Sequence, residues 1–191
     1  MTRILIIDGH PDAARGRFVH ALADAYEKGA AGRHQVRRID ICDLDFPILR
    51  SSKSWLKGKP VASIAKAQED ILWAEHVVIL LPLWLGDMPA LLKAFLEQVA
   101  RPDFAFDAGR KGLPKGLLTG RSARIVLTMG MPALFYTLYF RAHSLKSLKR
   151  NILRFTGFGP IRHSIVGSVE SNAAHRRRWL ERMRRLGAAS A

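Results

Sequence analysis

Short apolar runs alternate along the whole chain with longer amphipathic stretches. Five runs have the branched, apolar composition of strands, at residues 4–7, 36–41, 77–81, 123–128 and 161–166. Between them, apolar residues recur every three or four positions, the spacing of an amphipathic helix, at residues 17–28, 61–73, 89–99, 133–155 and 172–186. Strands that alternate with helices indicate a parallel sheet joined by right-handed crossovers.

The character of each run predicts its place in the sheet. The run at 77–81 is apolar throughout, which is typical of a central strand covered on both faces, whereas 36–41 is more polar and suits a sheet edge. Five such strands predict a three-layer, flavodoxin-like α/β fold, with a parallel sheet of order 2-1-3-4-5 and helices on both faces. The ligand crevice then lies at the carboxyl ends of strands 1 and 3. The 191 residues suit a single domain, 1–191, that ends in a basic helix at about 172–186.

The cysteine content and the length of the apolar runs indicate in which cellular compartment the protein resides. Cys42 is the only cysteine, which excludes an intramolecular disulfide and a thiolate zinc cluster. The first strand follows Met1 without a signal-peptide pattern, and the longest apolar run, at 77–85, is too short to span a bilayer. We therefore expect a cytoplasmic protein.

The positive charge is concentrated near the carboxyl terminus. The net charge is +15, and residues 141–191 hold 12 Lys or Arg against two acids, so +10 lies there. Such an excess can attract nucleic acid, anionic lipid or a phosphorylated cofactor, or it can simply form a solvated helix face. No nucleic-acid reading motif accompanies it, so we expect no nucleic-acid partner. Association of the basic helix with a membrane surface or a transporter stays open.

The first candidate loop, residues 8–18, joins strand 1 to a helix. It contains His10, Gly16, Arg17 and Phe18. The free backbone N–H groups and positive dipole end of a helix suit a phosphate group. The loop has neither a Walker A sequence nor a Gly-x-Gly-x-x-Gly fingerprint. A plain strand-to-helix turn with a solvent-facing histidine is the alternative.

The second candidate loop follows strand 3 and is apolar. Pro82, Leu83, Trp84 and Leu85 leave the strand before the chain turns into a helix. Such a surface at the mouth of a crevice suits a flat ring, although it could also pack on its own helix. A segment rich in Gly, Pro and Lys, residues 102–121, is expected to form a long loop over the site.

The third candidate loop follows strand 4. Thr128, Met129 and Gly130 precede a helical stretch in which Tyr136 and His143 stand seven positions apart. Seven residues make about two turns, so the two side chains should share a face and could stabilise negative charge on a reduced ring. Core and surface roles are the alternative. The seven histidines show no metal-ligand spacing, so we expect no metal site.

These motifs together resemble the flavodoxin-like NAD(P)H:quinone oxidoreductases, which include potassium-efflux ancillary flavoproteins. The resemblance covers nearly the whole chain. It is carried by Gly9-His10-Pro11 with Phe18, Pro82-Leu83-Trp84 with residues 88–93, Phe104-Ala105-Phe106, and residues 128–132 with Tyr136.

The resemblance implies a cofactor, a reaction and a set of site residues. Members bind FMN or FAD without a covalent bond, take hydride from NADH or NADPH, and pass two electrons to a quinone-like acceptor in a ping-pong cycle. They are typically homodimers. FMN is favoured over FAD by the chain length and the first loop. A regulatory transporter subunit that acts through its basic helix is the alternative function.

The resemblance also assigns roles to individual residues. His10, Arg17 and Phe18 would hold the phosphate side, with Gly16 standing where members usually have serine. Pro82, Leu83, Trp84 and Leu85 would lie along the isoalloxazine, and Thr128, Met129 and Gly130 would bond its polar edge. Tyr136 matches a tyrosine near the ring, and His143 stands one position from the histidine of the mammalian members.

Overall fold

The computed structural model describes residues 1–107 and 114–191. Its strands are β1 Arg3–Asp8, β2 Gln35–Asp40, β3 His76–Pro82, β4 Phe106–Asp107, β5 Lys115–Gly116, β6 Ser122–Thr128 and β7 Ile161–Val166. Its α-helices are α1 Phe18–Ala30, α2 Ser52–Lys57, α3 Ala62–Trp73, α4 Ala90–Val99, α5 Ala133–Leu138, α6 His143–Ser147 and α7 Ala173–Ala188. A 3₁₀ turn, Ile41–Asp43, follows β2, and a π-helical turn, Leu148–Arg154, continues α6.

Five strands form a parallel sheet of order β2-β1-β3-β6-β7, which confirms the predicted order 2-1-3-4-5. All seven residues of β3 are buried, as expected for a central strand. In β2 only Ile39 is fully buried, as expected at a sheet edge. The order reverses between β1 and β3, so a crevice is expected there at the carboxyl ends of the strands.

Helices cover both faces of the sheet, as predicted. On one face α1 and α7 enclose a core that includes Leu22, Tyr26 and Met183. Their backbones approach closely, because a Cβ on Gly187 would lie only 2.0 Å from the Tyr26 carbonyl oxygen. The basic helix therefore belongs to the core of the domain and ends two residues beyond the predicted 186. The other face packs against α3, α4 and α6.

The stretch 133–155 is mostly helical, as predicted, but it does not form one helix. It breaks between α5 and α6, where Arg141 and Ala142 adopt left-handed φ values of 51° and 48°. The Ala142 N–H donates to the Tyr136 carbonyl oxygen at 3.2 Å and closes the break. Helical periodicity continues through this break, so the sequence pattern alone could not reveal it.

The segment 102–121 lies differently from the prediction. Its described residues form the short β4–β5 hairpin, and the Leu118 N–H donates to the Thr156 carbonyl oxygen at 2.8 Å. Thr156 leads into the start of β7, so this contact is at the amino ends of the strands. The expectation of a loop over the site of its own chain is therefore wrong for these residues. Residues 108–113 lie outside the described part of the chain.

Within residues 1–107 and 114–191, no helix is both long enough and apolar enough to cross a bilayer.

Candidate functional site

A crevice of about 710 Å³ opens at the carboxyl edge of the sheet, where the loops after four of its strands meet. The first three loops supply most of the predicted residues, namely His10, Gly16, Arg17, Phe18, Pro82, Leu83, Trp84, Thr128, Met129 and Gly130. Leu85, Tyr136 and His143 are predicted residues that do not line the crevice.

The first loop is held tightly against β3. The Gly9 N–H donates to the Leu80 carbonyl oxygen at 2.7 Å, and a Cβ on Gly9 would lie 2.8 Å from that oxygen. His10 follows, and its ring meets the Trp84 ring edge-on, with 5.8 Å between centroids. This contact joins the first loop to the second across the switch point of the sheet.

The backbone of its own loop holds the His10 ring in place. His10 Nδ1 lies 3.1 Å from the Asp12 nitrogen and 3.2 Å from the Asp12 carbonyl oxygen. Burial, followed by the charge of nearby His20, lowers the pKa of His10. The imidazole is therefore uncharged at neutral pH.

The start of α1 forms one end of the crevice. Arg17 stands at the N-cap, where no side chain caps the helix, so its first-turn N–H groups remain available for an anion. The Arg17 Nε donates to Asp12 Oδ2 at 2.8 Å, which positions the guanidinium beside the helix start. A Cβ on Gly16 would contact nothing within 4 Å, so this end has free space.

A buried network of charged groups supports the first loop from below. His20 Nδ1 lies 2.6 Å from Asp8 Oδ2, and its Nε2 lies 2.9 Å from the Asp12 carbonyl oxygen. Both ring nitrogens thus face acceptors. Burial lowers the pKa of His20, but these two hydrogen bonds outweigh it and raise the pKa overall. These contacts favour the protonated His20 ring as the partner of the fully buried Asp8 side chain.

Asp8, His20 and Asp40 place potential metal-ligand atoms within 4.8 Å of one another, an arrangement that the sequence spacing did not predict. A guanidinium already bridges the two carboxylates. Arg38 contacts Asp8 Oδ2 at 3.2 Å through Nη2 and Asp40 Oδ1 at 2.8 Å through Nε. We therefore assign the cluster to fixing β1, β2 and α1 beneath the first loop.

The second loop projects a tight turn from the crevice wall. Trp84 and Asp87 exchange backbone hydrogen bonds of 2.8 and 2.9 Å, and the two residues between them, Leu85 and Gly86, both have positive φ. This geometry turns the Leu85 side chain fully into solvent. Leu85 therefore lies outside the crevice of its own chain, contrary to its predicted place along a ring.

The third loop retains part of its expected donor set. The Met129 N–H is already bonded to the Val166 carbonyl oxygen at 2.9 Å, so it is not available to a ligand. The described residues offer no backbone acceptor to the Gly130 N–H. The Thr128 hydroxyl makes only a long, 3.5 Å contact with the Leu81 carbonyl oxygen. Gly130 and Thr128 remain as donors to the crevice.

Tyr136 and His143 do not form the predicted pair. Tyr136 is fully buried, and its hydroxyl accepts a hydrogen bond from the Leu145 N–H at 3.2 Å. His143 is exposed on the next helix, with its Nδ1–H donating to the Phe140 carbonyl oxygen at 2.8 Å. The predicted shared helix face was wrong because the helix breaks between the two residues. We assign Tyr136 to supporting α6 rather than to contact with a ligand.

A fourth wall comes from the loop after β7, which the sequence reasoning missed. Val169 and Glu170 of this loop line the crevice, together with Arg176 near the start of α7. The loop is tightly docked, since a Cβ on Gly167 would lie 2.3 Å from the Ala133 nitrogen. The available signal was that the fifth parallel strand must end at the same edge as the others.

The sequence profile of the flavodoxin-like fold family matches residues 2–186. The chain belongs to this family. An FMN-dependent NADH:quinone oxidoreductase of Nitratidesulfovibrio vulgaris (strain DP4) is 28% identical to this flavodoxin-like protein, over 97% of this chain and 98% of that protein. The FMN-dependent NADH:quinone oxidoreductase 3 of a Bacillus cereus strain is 25% identical over 90% of each chain.

Solved structures share the flavodoxin-like fold over nearly its full length. The NAD(P)H:quinone oxidoreductase from Methanothermobacter marburgensis has a TM-score of 0.81 and 22% identity, and the match covers 98% of this chain and 96% of that one. The FMN-dependent NADH-azoreductase from Bacillus anthracis, solved in complex with FMN, has a TM-score of 0.74 and 18% identity, covering 99% and 98%. At these identities the likeness shows the fold alone.

Proposed function

We propose that this protein is a flavin-dependent NAD(P)H oxidoreductase that passes two electrons to quinones or similar small acceptors, with FMN as the flavin. The crevice carries the proposal, because it combines an anion-ready helix start at one end with an apolar, aromatic wall at the other. The names of the relatives support the same cofactor, donor and acceptor class.

The residues present fit a flavin phosphate at the α1 end. The uncapped first turn of α1 offers N–H donors, and Arg17 and Arg176 bring positive charge to the crevice lining. The neutral His10 ring would add a further hydrogen-bonding group to the crevice lining. Gly16 leaves room for the phosphate oxygens to approach the backbone.

The residues also fit a flat, partly polar ring at the other end. Pro82, Leu83 and the half-exposed Trp84 form an apolar wall. The Gly130 N–H and the Thr128 hydroxyl would face the polar edge of the ring and stabilise negative charge that develops there. When bound, the flavin would supply hydride acceptance and donation, and these residues would position it and exclude water from one face.

The test is to identify the bound chromophore and its redox behaviour. We expect the purified protein to be yellow, acid extraction to release FMN by mass, and NADH or NADPH to bleach the absorbance band until a quinone restores it. A folded protein that remains colourless after incubation with FMN and FAD would contradict the proposal. Variant Trp84→Ala should weaken flavin binding, while the exposed Leu72→Ala should not.

A transporter-ancillary role through the basic helix is the second reading. Truncation cannot test it, because α7 packs on α1 and Met183 is fully buried. Arg178 and Arg185 are exposed and form no ion pair within the described residues, so the double variant Arg178→Glu/Arg185→Glu tests it without unfolding the protein. Loss of membrane association with unchanged turnover would add a docking role to the enzyme.

Further features of the proposal are that residues 1–191 work as one domain, that the protein is a homodimer, and that it acts in the cytoplasm. Light scattering on the purified protein and cell fractionation test the last two.

A further inference from the structure

A second cavity, of about 470 Å³, lies on α6 and the π-helical turn that continues it. The cavity is rich in cations, and its basic lining residues are His143, Lys146, Lys149, Arg150 and Arg154. The redox chemistry proposed above does not use any of its lysines or arginines.

The positive charge of this cavity is uncompensated. No acidic residue occurs in the sequence between Asp107 and Glu170. None of the lysines and arginines of the cavity forms an ion pair with a carboxylate of residues 1–107 or 114–191. Several like charges held together without a counter-charge repel one another, and binding of an anion with more than one charge relieves that repulsion.

The cavity lies beside the turn that the second loop projects from the crevice wall. Ser144 donates from its hydroxyl to Asp87 Oδ1 at 2.5 Å, which fixes the start of α6 to the second loop. His143 Nε2 lies 3.9 Å from the place that a Cβ on Gly86 would take. From there to Arg154 the helical rise of about 1.5 Å per residue gives a strip roughly 16 Å long.

We propose that this cavity binds the phosphate groups of the dinucleotide electron donor, including the 2′-phosphate that distinguishes NADPH from NADH. The inference rests on the proposed function, because a nicotinamide in the crevice mouth leaves its adenylate half outside. The strip leads away from the second loop, and its cations match a diphosphate followed by a further phosphate.

The experiment measures binding of donor fragments that lack nicotinamide, so it does not depend on turnover. Calorimetry compares 2′-phospho-ADP-ribose with ADP-ribose on the wild-type, flavin-loaded protein. We expect the 2′-phosphorylated fragment to bind about tenfold more tightly, the effect of one charge-assisted hydrogen bond pair. Equal affinity for the two fragments would overturn the 2′-phosphate assignment.

Charge-reversal variants locate the site. Arg150→Glu/Arg154→Glu should weaken binding of 2′-phospho-ADP-ribose by about a hundredfold, since two contacts change sign. Arg178→Glu/Arg185→Glu makes the same change of net charge on exposed α7 positions away from the cavity. This control should leave the affinity nearly unchanged. An equal loss in both double variants would mean diffuse attraction and would overturn the proposal, as would no loss in either.

Two outcomes separate this inference from the proposed function. The cavity variants could weaken fragment binding while neither NADH nor NADPH reduces the flavin. The cavity would then remain a phosphate site, and the proposed function would fail. If NADH and NADPH reduce the flavin at equal rates that the cavity variants leave unchanged, the enzyme stands and the inference fails. A third outcome would assign the cavity to lipid instead. In that case the wild-type protein binds phosphatidylserine vesicles but not the fragment, and Arg150→Glu/Arg154→Glu abolishes the vesicle binding.

Discussion

At the scale of single residues, Gly16 offers a direct test of the crevice end that is proposed to bind the flavin phosphate. Its φ is not in the left-handed region, and a Cβ there would contact nothing within 4 Å. Glycine is therefore not required by the backbone, and a side chain can be added without displacing a neighbour. Because Gly16 lines the crevice beside the start of α1, a hydroxyl there would face the proposed phosphate.

We predict that Gly16→Ser tightens FMN binding. One added hydrogen bond to a charged group should contribute about 1 kcal/mol or somewhat more, so the Kd should fall about fivefold to tenfold. Fluorescence quenching of FMN titrated with protein measures it. Gly16→Ala is the matched control, because it adds the Cβ without the hydroxyl and should leave the Kd close to wild type. Equal tightening by both variants would attribute the effect to backbone rigidity instead.

At the scale of elements, the junction between α5 and α6 depends on Tyr136. Its hydroxyl accepts from the Leu145 N–H, one of the first-turn donors that α6 cannot satisfy internally. Leu145 is itself buried, so water does not replace a lost partner. The same helix carries the cationic cavity and, through Ser144, fixes the second loop of the crevice.

We predict that Tyr136→Phe destabilises the protein by about 1–3 kcal/mol, the cost of leaving a buried donor unsatisfied. Chemical denaturation measures this change in the free energy of unfolding. The hydroxyl does not line the crevice, so the rate of flavin reduction in stopped-flow experiments should stay unchanged. Tyr139→Phe is the control, because Tyr139 is 71% exposed and should tolerate the change. A slower reduction at unchanged stability would restore Tyr136 to a catalytic role.

At the scale of the whole molecule, a buried histidine in the central strand links stability to pH. His76 begins β3, and its Nδ1 lies 2.7 Å from the Ser122 hydroxyl of the neighbouring β6. Burial, followed by the charges of Arg124 and Arg162, lowers its pKa to about 4. The folded protein therefore keeps this imidazole neutral at pH values where the unfolded chain already protonates it.

We predict that the free energy of unfolding falls as the pH falls from about 6.5 to about 4, because only the unfolded state binds the His76 proton in that window. At about 1.4 kcal/mol per pKa unit, the loss from this group is roughly 3 kcal/mol. Denaturation at several pH values measures it, and His76→Asn should flatten the curve.

The exposed Leu138→Ala, which changes no titratable group, serves as the control for that curve and should keep the wild-type slope. An NMR titration that placed the His76 imidazole at its ordinary pKa would contradict the prediction directly.

The sequence by itself determined the layers, the strand order and three of the four loops that line the crevice. Strand and helix periodicity are local properties of the chain, and the carboxyl ends of parallel strands meet at one edge wherever such strands pack together. This rule alone brings His10, Trp84 and Gly130 to one crevice. It also applied to the loop after β7, where Val169 and Glu170 lie, but no sequence motif marked that loop.

Only the tertiary structure decided where the local pattern ends. The helix breaks at Arg141 and Ala142, and contacts from Tyr136 to residues six and nine positions later hold the break. The same folding places the described residues of 102–121 at the far edge of the sheet and turns Leu85 into solvent. Left-handed residues and buried donors are stabilised by partners outside their own helical turn. The periodic spacing of apolar residues therefore does not reveal them.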